Sequence, residues 1–313
     1  MDNTIVTACD RRYLWGAYIL VASLRRHGVK DLIHVLADDF TSKDKVLLEQ
    51  FESVKIISTD EKSHSCMTTQ KPDAILTADT ELITWLDADL MAVGNIEPYF
   101  RSDPTRFQIR LRGAEENQQL YAREYPPSDT RGETPKHILE CWRKDVGERA
   151  EPTTTTTVNA CSFVLHRDHL PFIEKYKKQM LKVLPQDATL EDKRNPAYFM
   201  ADESVLSSLF AFGEDAPEIT EYMFDKDPQA FLAHFSQKPK PWNRWSHHVL
   251  KHYDSLMEVL RWVRESEYAL PAMPFSLNER NRIPCYADAC FRHYCRRTLR
   301  AVRDSGRRLR RGD

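Results

Sequence analysis

Apolar and polar positions in the first hundred residues fall into blocks of strand and helix length. Thr4–Thr7 with Ala8 is a short β-branched run that predicts a first strand, followed by a polar turn over Cys9–Arg12. From Trp15 to His27, apolar Trp15, Tyr18, Ile19 and Ala22 recur at near-helical spacing and predict an amphipathic helix. Ile33–Ala37 reads as a second strand, Ser42–Phe51 as a second helix and Val54–Ile57 as a third strand. Pro72–Thr80 reads as helical, with Pro72 tolerated in the first turn. Leu82–Leu86 (L-I-T-W-L) is an apolar run of the kind found in a central strand covered on both faces. Alternation at this pace predicts an α/β fold built on a parallel, doubly wound sheet.

The pattern changes after residue 100. Residues 101–157 are rich in Arg, Glu and Pro and end in Thr153–Thr157, which reads as a solvated insertion or mobile loop. Val158–His166 returns to strand character, Leu170–Leu184 looks helical, and Asp202–Phe212 is an amphipathic helix whose acidic start suits a helix N-terminus.

Composition narrows the chemistry. There is no G-x-G-x-x-G and only nine glycines in 313 residues, which disfavours a dinucleotide fold and a P-loop. No apolar run approaches the length of a membrane span, and the first ten residues lack the basic and apolar regions of a signal peptide. Seven scattered cysteines are therefore expected to be reduced thiols in the cytoplasm. Cys285, Cys290 and Cys295, with His293 among them, fit no common zinc-finger spacing. Charge is unevenly distributed: from Arg292 on, nine arginines against Asp304 and Asp313 give a net +7, leaving −9 on the remainder. An acidic body with a basic tail suggests that the tail meets an anionic surface.

Asp87 and Asp89 end the 82–86 strand, at the edge where open α/β sheets bind ligands. Two carboxylates this close repel unless a cation lies between them. They read either as an acidic turn or as a divalent-metal site. A second signal lies at Ala233–Trp242, A-H-F-S-Q-K-P-K-P-W. Its prolines stiffen a loop that carries His234, Lys238 and Lys240. With the two aspartates, His234 makes a set of two carboxylates and one imidazole, which suits Mn²⁺ or Mg²⁺ bridging a diphosphate. The two lysines would neutralise phosphate oxygens.

These motifs, in this order, resemble family-8 retaining glycosyltransferases, the group of glycogenin and bacterial lipopolysaccharide galactosyl- and glucosyltransferases. The resemblance covers roughly residues 4–245. It implies a GT-A-type, Rossmann-like mixed sheet flanked by helices over 1–245, with 101–157 as an acceptor-side insertion. A helical C-terminal extension with a basic tail would occupy 246–313. T-A-C-D-R-R-Y at 7–13 resembles the first-strand nucleotide loop, so Thr7, Ala8, Asp10 and Tyr13 would contact the nucleotide of a UDP-sugar. Lys71 sits where the family keeps a cation facing donor sugar and phosphates. L-D-A-D resembles the metal motif, with Asp87, Asp89 and His234 holding Mn²⁺ (or Mg²⁺) and Ala88 in the donor loop. Asn159 falls at the N-x-G position of the sugar pocket, and Asp202-Glu203 at the D-Q pair. The H-F-x-x-x-x-K-P-W stretch from His234 to Trp242 would close the site with Lys238 and Lys240. Three positions depart from the family pattern: Gln237 and Cys161 replace glycines, and Glu203 replaces glutamine.

The resemblance implies hexose transfer with retention from a UDP-sugar to an acceptor hydroxyl, probed by three catalytic candidates: Asp202, Glu203 and Lys240. Front-face attack is the family's preferred route, and a glutamate at 203 leaves double displacement open. The expected acceptor is a lipopolysaccharide or another surface glycan or glycolipid, with protein or nucleic acid as alternatives. A non-catalytic nucleotide-sugar-binding member of the fold is the other class. The tail, with Phe291, Tyr294 and Leu299 among its arginines, resembles tails that hold such enzymes on the inner face of the membrane. Nucleic-acid binding and a merely solvated tail are its alternatives.

Overall fold

The computed structural model describes residues 2–59, 67–100, 107–122, 131–185, 195–220 and 231–311. Cys66, parts of the expected insertion and the arginine side chains from Arg300 on lie outside the described residues.

The first half of the chain alternates as its pattern predicts. Strand β1 (Asn3–Asp10) extends into the first half of the expected turn, which then closes as a 3-10 turn over Arg11–Tyr13. It is followed by α1 (Leu14–Arg26), β2 (Leu32–Asp38), α2 (Ser42–Glu49) and β3 (Val54–Ser58). Helix α2 starts on a capping box, Thr41 and Asp44 each satisfying the other's backbone N–H. Helix α3 (Lys71–Ile75) is shorter than its sequence suggests. Then come β4 (Leu82–Leu86), β5 (Leu90–Ala92) and α4 (Glu97–Phe100).

The stretch expected to be a solvated insertion instead supplies β6 (Phe107–Leu111), α5 (Ala114–Tyr121) and α6 (Lys136–Val146). Charged residues set its average, but Phe107, Ile109, Tyr121, Ile138 and Trp142 are spaced so that each lands in the core. Beyond it lie β7 (Val158–His166), α7 (Leu170–Val183), α8 (Asp202–Phe212), β8 (Ile219–Thr220) and β9 (Leu232–His234). Helices α9 (Tyr253–Glu265) and α10 (Arg282–Arg311) complete the order.

The main sheet has the order β3-β2-β1-β4-β7-β6-β8. Strands β1 to β4 pair in parallel, but β7 runs antiparallel to both β4 and β6. The sheet is therefore mixed, as the GT-A resemblance implies, and not all-parallel as the alternation alone suggests. The Arg112 N–H donates to the Thr157 carbonyl at 2.9 Å where β6 ends, so the chain enters β7 at that same edge and runs back antiparallel to β6.

Two hydrophobic clusters cover the two faces. Successive residues Ile5 and Val6 of β1, like Leu86 and Trp85 of β4, divide between them. Helix α1 is buried almost all round, between the sheet and a layer that includes Trp245, Tyr253, Leu256 and Leu260. Trp15 and Tyr18 of α1 donate hydrogen bonds to the carbonyls of Ala272 and Ala269. The C-terminal segment thus shares one core with β1 and α1.

Candidate active site

Asp87 and Asp89 lie in the turn between β4 and β5, and the small β5–β9 pair determines what faces them. Register Leu90↔His234 brings β9 alongside, and the Phe235 N–H donates to the Asp89 carbonyl at 2.9 Å. Ligand atoms of Asp87, Asp89 and His234 then lie within 4.8 Å of one another. Residues 145 apart in the chain meet because two three-residue strands pair.

Each carboxylate has a fixed cation. Lys240 Nζ lies 2.6 Å from Asp89 Oδ2 and also donates to the Phe235 and Ser236 carbonyls, at 2.6 and 3.2 Å. Lys71 Nζ lies 2.5 Å from Asp202, 3.1 Å from Asp87 and 2.7 Å from the Ala160 carbonyl. An ammonium has three donors, and both lysines spend them on protein oxygens. Both are buried and held against these carboxylates. Trp85 Nε1 donates to Asp87 Oδ1 at 2.8 Å, and its ring lies 4.9 Å from Lys71 Nζ.

These contacts set the proton affinities. Burial alone lowers that of Lys71, but Asp202 and Asp87 outweigh it and hold the ammonium well above its usual range. Burial raises the Asp87 carboxyl to about 6 against the pull of Lys71. For Asp89, burial is overcome by His234 and Lys240, and the carboxyl falls well below its ordinary value. His234 would be pushed down by burial, yet Asp89, 3.2 Å from its Nε2, and Cys161 raise it well above an ordinary imidazole.

Arg112 is the residue that the sequence reading missed. From the stretch read as an insertion it reaches Glu203 with two nitrogens, at 2.6 and 2.9 Å, and donates to the Val158 carbonyl at 2.7 Å. Both partners are buried. A buried glutamate in the first turn of α8 needs a cation, but nothing in the sequence says which of 45 lysines and arginines supplies it. Ala201, just before Asp202, has φ 46° and ψ −115°, a conformation that L side chains rarely adopt. Such strain often collects at functional sites.

The nucleotide-loop candidates sit at the same edge. Parallel pairing as far as Val6↔Trp85 brings the ends of β1 and β4 to one edge of the sheet, with Ala8 and Asp10 on the first and Asp87 and Asp89 just after the second. Asp10 accepts the Arg12 N–H, shaping the turn that leads to Tyr13. Tyr13 packs edge-on against Trp242 at 5.7 Å and lies 5.7 Å from Lys240 Nζ. Burial, and after it the Asp89 charge, push its phenol up to about 12. Thr7 is deeper, fully buried within β1. A Cβ at Gly16 would meet the Ala88 carbonyl at 2.4 Å and Trp242 at 2.7 Å, so the bare glycine lets the D-A-D turn settle on α1. Asn159 is half-buried on β7 and accepts the Cys161 N–H at 3.1 Å, and Lys238 is exposed.

A divalent cation fits this donor set. Asp87, Asp89, Asp202 and Glu203 face Lys71, Lys240 and Arg112, and the remaining negative charge is met by the proton that Asp89 holds on His234, a proton that a bound cation would replace. Two carboxylates and an imidazole converging on one point suit Mn²⁺-type ions.

No protein-family model matches the chain, and no curated protein sequence does. Solved structures do resemble it in fold. The galactosyltransferase LgtC, crystallised with donor and acceptor sugar analogues, superposes with a TM-score of 0.53 at 13% identity, covering 86% of this chain and 97% of that one. The bifunctional glycosyltransferase WbbM gives 0.56 at 12% identity, over 90% of this chain and 51% of that one. The glycosyltransferase GlyE of Streptococcus pneumoniae TIGR4 gives 0.51 at 16%, over 87% and 65%. The chain therefore has an α/β fold, a seven-stranded mixed sheet flanked by helices, of the GT-A type seen in these glycosyltransferases.

Proposed function

We propose that this protein is a metal-dependent glycosyltransferase that moves a hexose from a UDP-sugar to an acceptor hydroxyl with retention of configuration. The observation that carries the reading is the convergence of Asp87, Asp89 and His234 at the C-terminal edge of β4, with Lys240 on Asp89. The GT-A fold supports the nucleotide-sugar donor.

Asp87, Asp89 and His234 would hold the cation, which when bound supplies Lewis-acid stabilisation of the leaving diphosphate. Lys240 and Lys71 keep the two aspartates charged and oriented, and so set the field in which the bond breaks. Asp202, on Lys71, and Glu203, on Arg112, supply fixed negative charge for the oxocarbenium-like sugar. Both Glu203 oxygens accept from Arg112, which favours electrostatic support over nucleophilic attack and hence the front-face route. Tyr13, Ala8 and Asp10 would line the nucleotide, and Asn159 the sugar.

A glycan or glycolipid acceptor at the inner face of a membrane is the fitting partner. On α10, Ile283, Tyr286, Phe291, Tyr294 and Leu299 are exposed while Cys285 and Ala289 pack inward. Apolar and basic groups on one exposed helix suit peripheral binding to anionic lipid, at about 1 kcal/mol per basic residue. No described helix is long and apolar enough to cross a membrane.

The test is a panel of nucleotide sugars with Mn²⁺, read as acceptor-independent release of UDP. Turnover with one UDP-sugar, abolished by chelation and by Asp89→Ala, is expected. Metal-independent activity in Asp89→Ala would refute the assignment. Tight donor binding without any turnover would favour a non-catalytic binding protein. Pelleting with anionic vesicles, set against retention on DNA, tests the tail.

A further inference from the structure

Arg112 does not meet Glu203 alone. Both of its Nη atoms donate to that carboxylate, and its remaining nitrogen, Nε, lies 3.5 Å from Glu116 Oε1. The other Glu116 oxygen is paired with Arg110 Nη2. Arg110, Glu116, Arg112 and Glu203 thus form one row of alternating charge. The local fold builds it. Pairing of β6 with β7 jumps from Ile109↔Phe163 to Arg110↔Asn159, a bulge that brings Arg110 opposite Asn159. Arg110 and Arg112, two residues apart, fall on one side, and the first turn of α5 brings Glu116 to both. Asn117, the next residue, accepts the Thr157 hydroxyl at 2.8 Å, and the same hydroxyl accepts from Arg112 Nη1 at 3.2 Å. At the inner end, Glu203 Oε2 accepts the Ala160 N–H at 3.4 Å, one residue beyond Asn159. The row runs inward from solvent: the side chains of Arg110 and Glu116 are 28% and 39% exposed, those of Arg112 and Glu203 9% and 10%.

We propose that Glu116 and Arg110 are positioning residues of the transfer reaction, which set the charge balance and the orientation of the Arg112–Glu203 pair beside the sugar. The inference rests on the glycosyltransferase reading above, in which Glu203 is fixed negative charge for a sugar that becomes cationic as its bond to the leaving group breaks. A guanidinium bonded to Glu203 at two points cancels much of that charge. Glu116 draws on the same guanidinium from behind, at Nε, and Arg110 holds Glu116 in place to do so. Without Glu116, two cations share one carboxylate, and the row turns net positive where positive charge has to form. No bond is made or broken within the row. Its outer members act through Arg112 and are partly screened by water, so each contributes about tenfold to turnover, less than the roughly 10²–10³-fold of a group that contacts the developing charge.

Steady-state UDP release, with Mn²⁺ and the UDP-sugar that the unaltered protein turns over, tests this. Glu116→Gln, nearly isosteric and half-exposed, should lower kcat about tenfold while the donor KM, and Mn²⁺ affinity by calorimetry, stay unchanged. Adding Arg110→Gln to it restores one cation per anion and should bring kcat back to within about threefold of the parent. A helix that only scaffolds the site gives no such recovery, because the second substitution removes a further contact. Glu116→Asp keeps the charge and should also stay within about threefold of the parent. Glu115→Gln removes the neighbouring exposed charge, which accepts from Gln119 at 3.3 Å, and should leave kcat unchanged. Glu116→Ala, with melting curves for each variant, guards against misfolding of any one. An unchanged kcat in Glu116→Gln, an equal loss in Glu115→Gln, or a double variant no faster than Glu116→Gln overturns the proposal and leaves the glycosyltransferase reading standing. No UDP release from any UDP-sugar by the unaltered protein refutes that reading itself, and the proposal with it.

Discussion

Arg112→Met offers the sharpest check on how this site is held together. The substitution keeps much of the side-chain volume but removes the guanidinium from Glu203, 2.6 and 2.9 Å away, in a place where both residues are buried. Breaking a buried pair by deleting one partner costs about 3–5 kcal/mol, because the other charge is stranded. The Val158 carbonyl also loses its donor at 2.7 Å, worth about 1–3 kcal/mol if nothing replaces it. Glu203→Gln should cost less, about 1–3 kcal/mol, because the amide oxygen still accepts from Arg112 while the side chain gives up its charge. In Arg112→Met with Glu203→Gln, no charge is stranded. The double variant should be more stable than Arg112→Met alone, with a coupling of about 2 kcal/mol or more. Urea denaturation of the four proteins, compared at constant m, reads the cycle directly. Additive effects, or an Arg112→Met protein within 1 kcal/mol of the parent, would show that the pair is not a buried charge couple. The argument that Glu203 is too well held to act as a nucleophile would then fail with it.

Other positions carry their own tests. Gly16→Ala should destabilise by about 1–3 kcal/mol despite the better helix residue, because its Cβ drives into the Ala88 carbonyl and Trp242. It should also weaken metal binding in calorimetry, and an unchanged melting temperature would refute the packing argument. Ala201→Gly should stabilise by about 1 kcal/mol in urea, since glycine adopts φ 46° without strain and relief exceeds its added chain entropy. A lower midpoint would mean that the conformation is not strained. Asp288 is held well below the usual carboxylate range by hydrogen bonds from Arg244 and Arg292. Its folded value being depressed, its contribution is present above the unfolded Asp value, near 4, and is lost as pH falls toward the folded one. The melting-temperature gap between the parent and Asp288→Asn should therefore shrink from pH 6 to pH 3. At this half-exposed network the gap corresponds to only about 0.2–1 kcal/mol.

What could be read in the chain depended on how local its cause was. The 82–86 strand, the 158–166 strand and the 202–212 helix have the bounds that their patterns suggest, because apolar runs and an acidic helix start are local signals. The strand and helices within 101–157 are hidden because the stretch is polar on average while its buried residues are few and widely spaced. Asp87, Asp89 and His234 were nameable as a set from residue chemistry, but their meeting depends on the β5–β9 pairing, which three-residue strands scarcely announce. Lys71 and Lys240 were readable as cations but not as buried ones. A lysine expected to meet phosphate looks the same in sequence as one that holds a carboxylate in place. What the sequence leaves open is the set of acceptors around each Nζ, and here each ammonium meets three protein oxygens. The same logic makes the Glu203 position intelligible. Where glutamine would need no counter-charge, glutamate requires one, and Arg112 supplies it from a segment that the chain's polarity had marked as surface. A charge buried at one point in the sequence thus dictates a charge 91 residues away, a constraint that no local pattern carries.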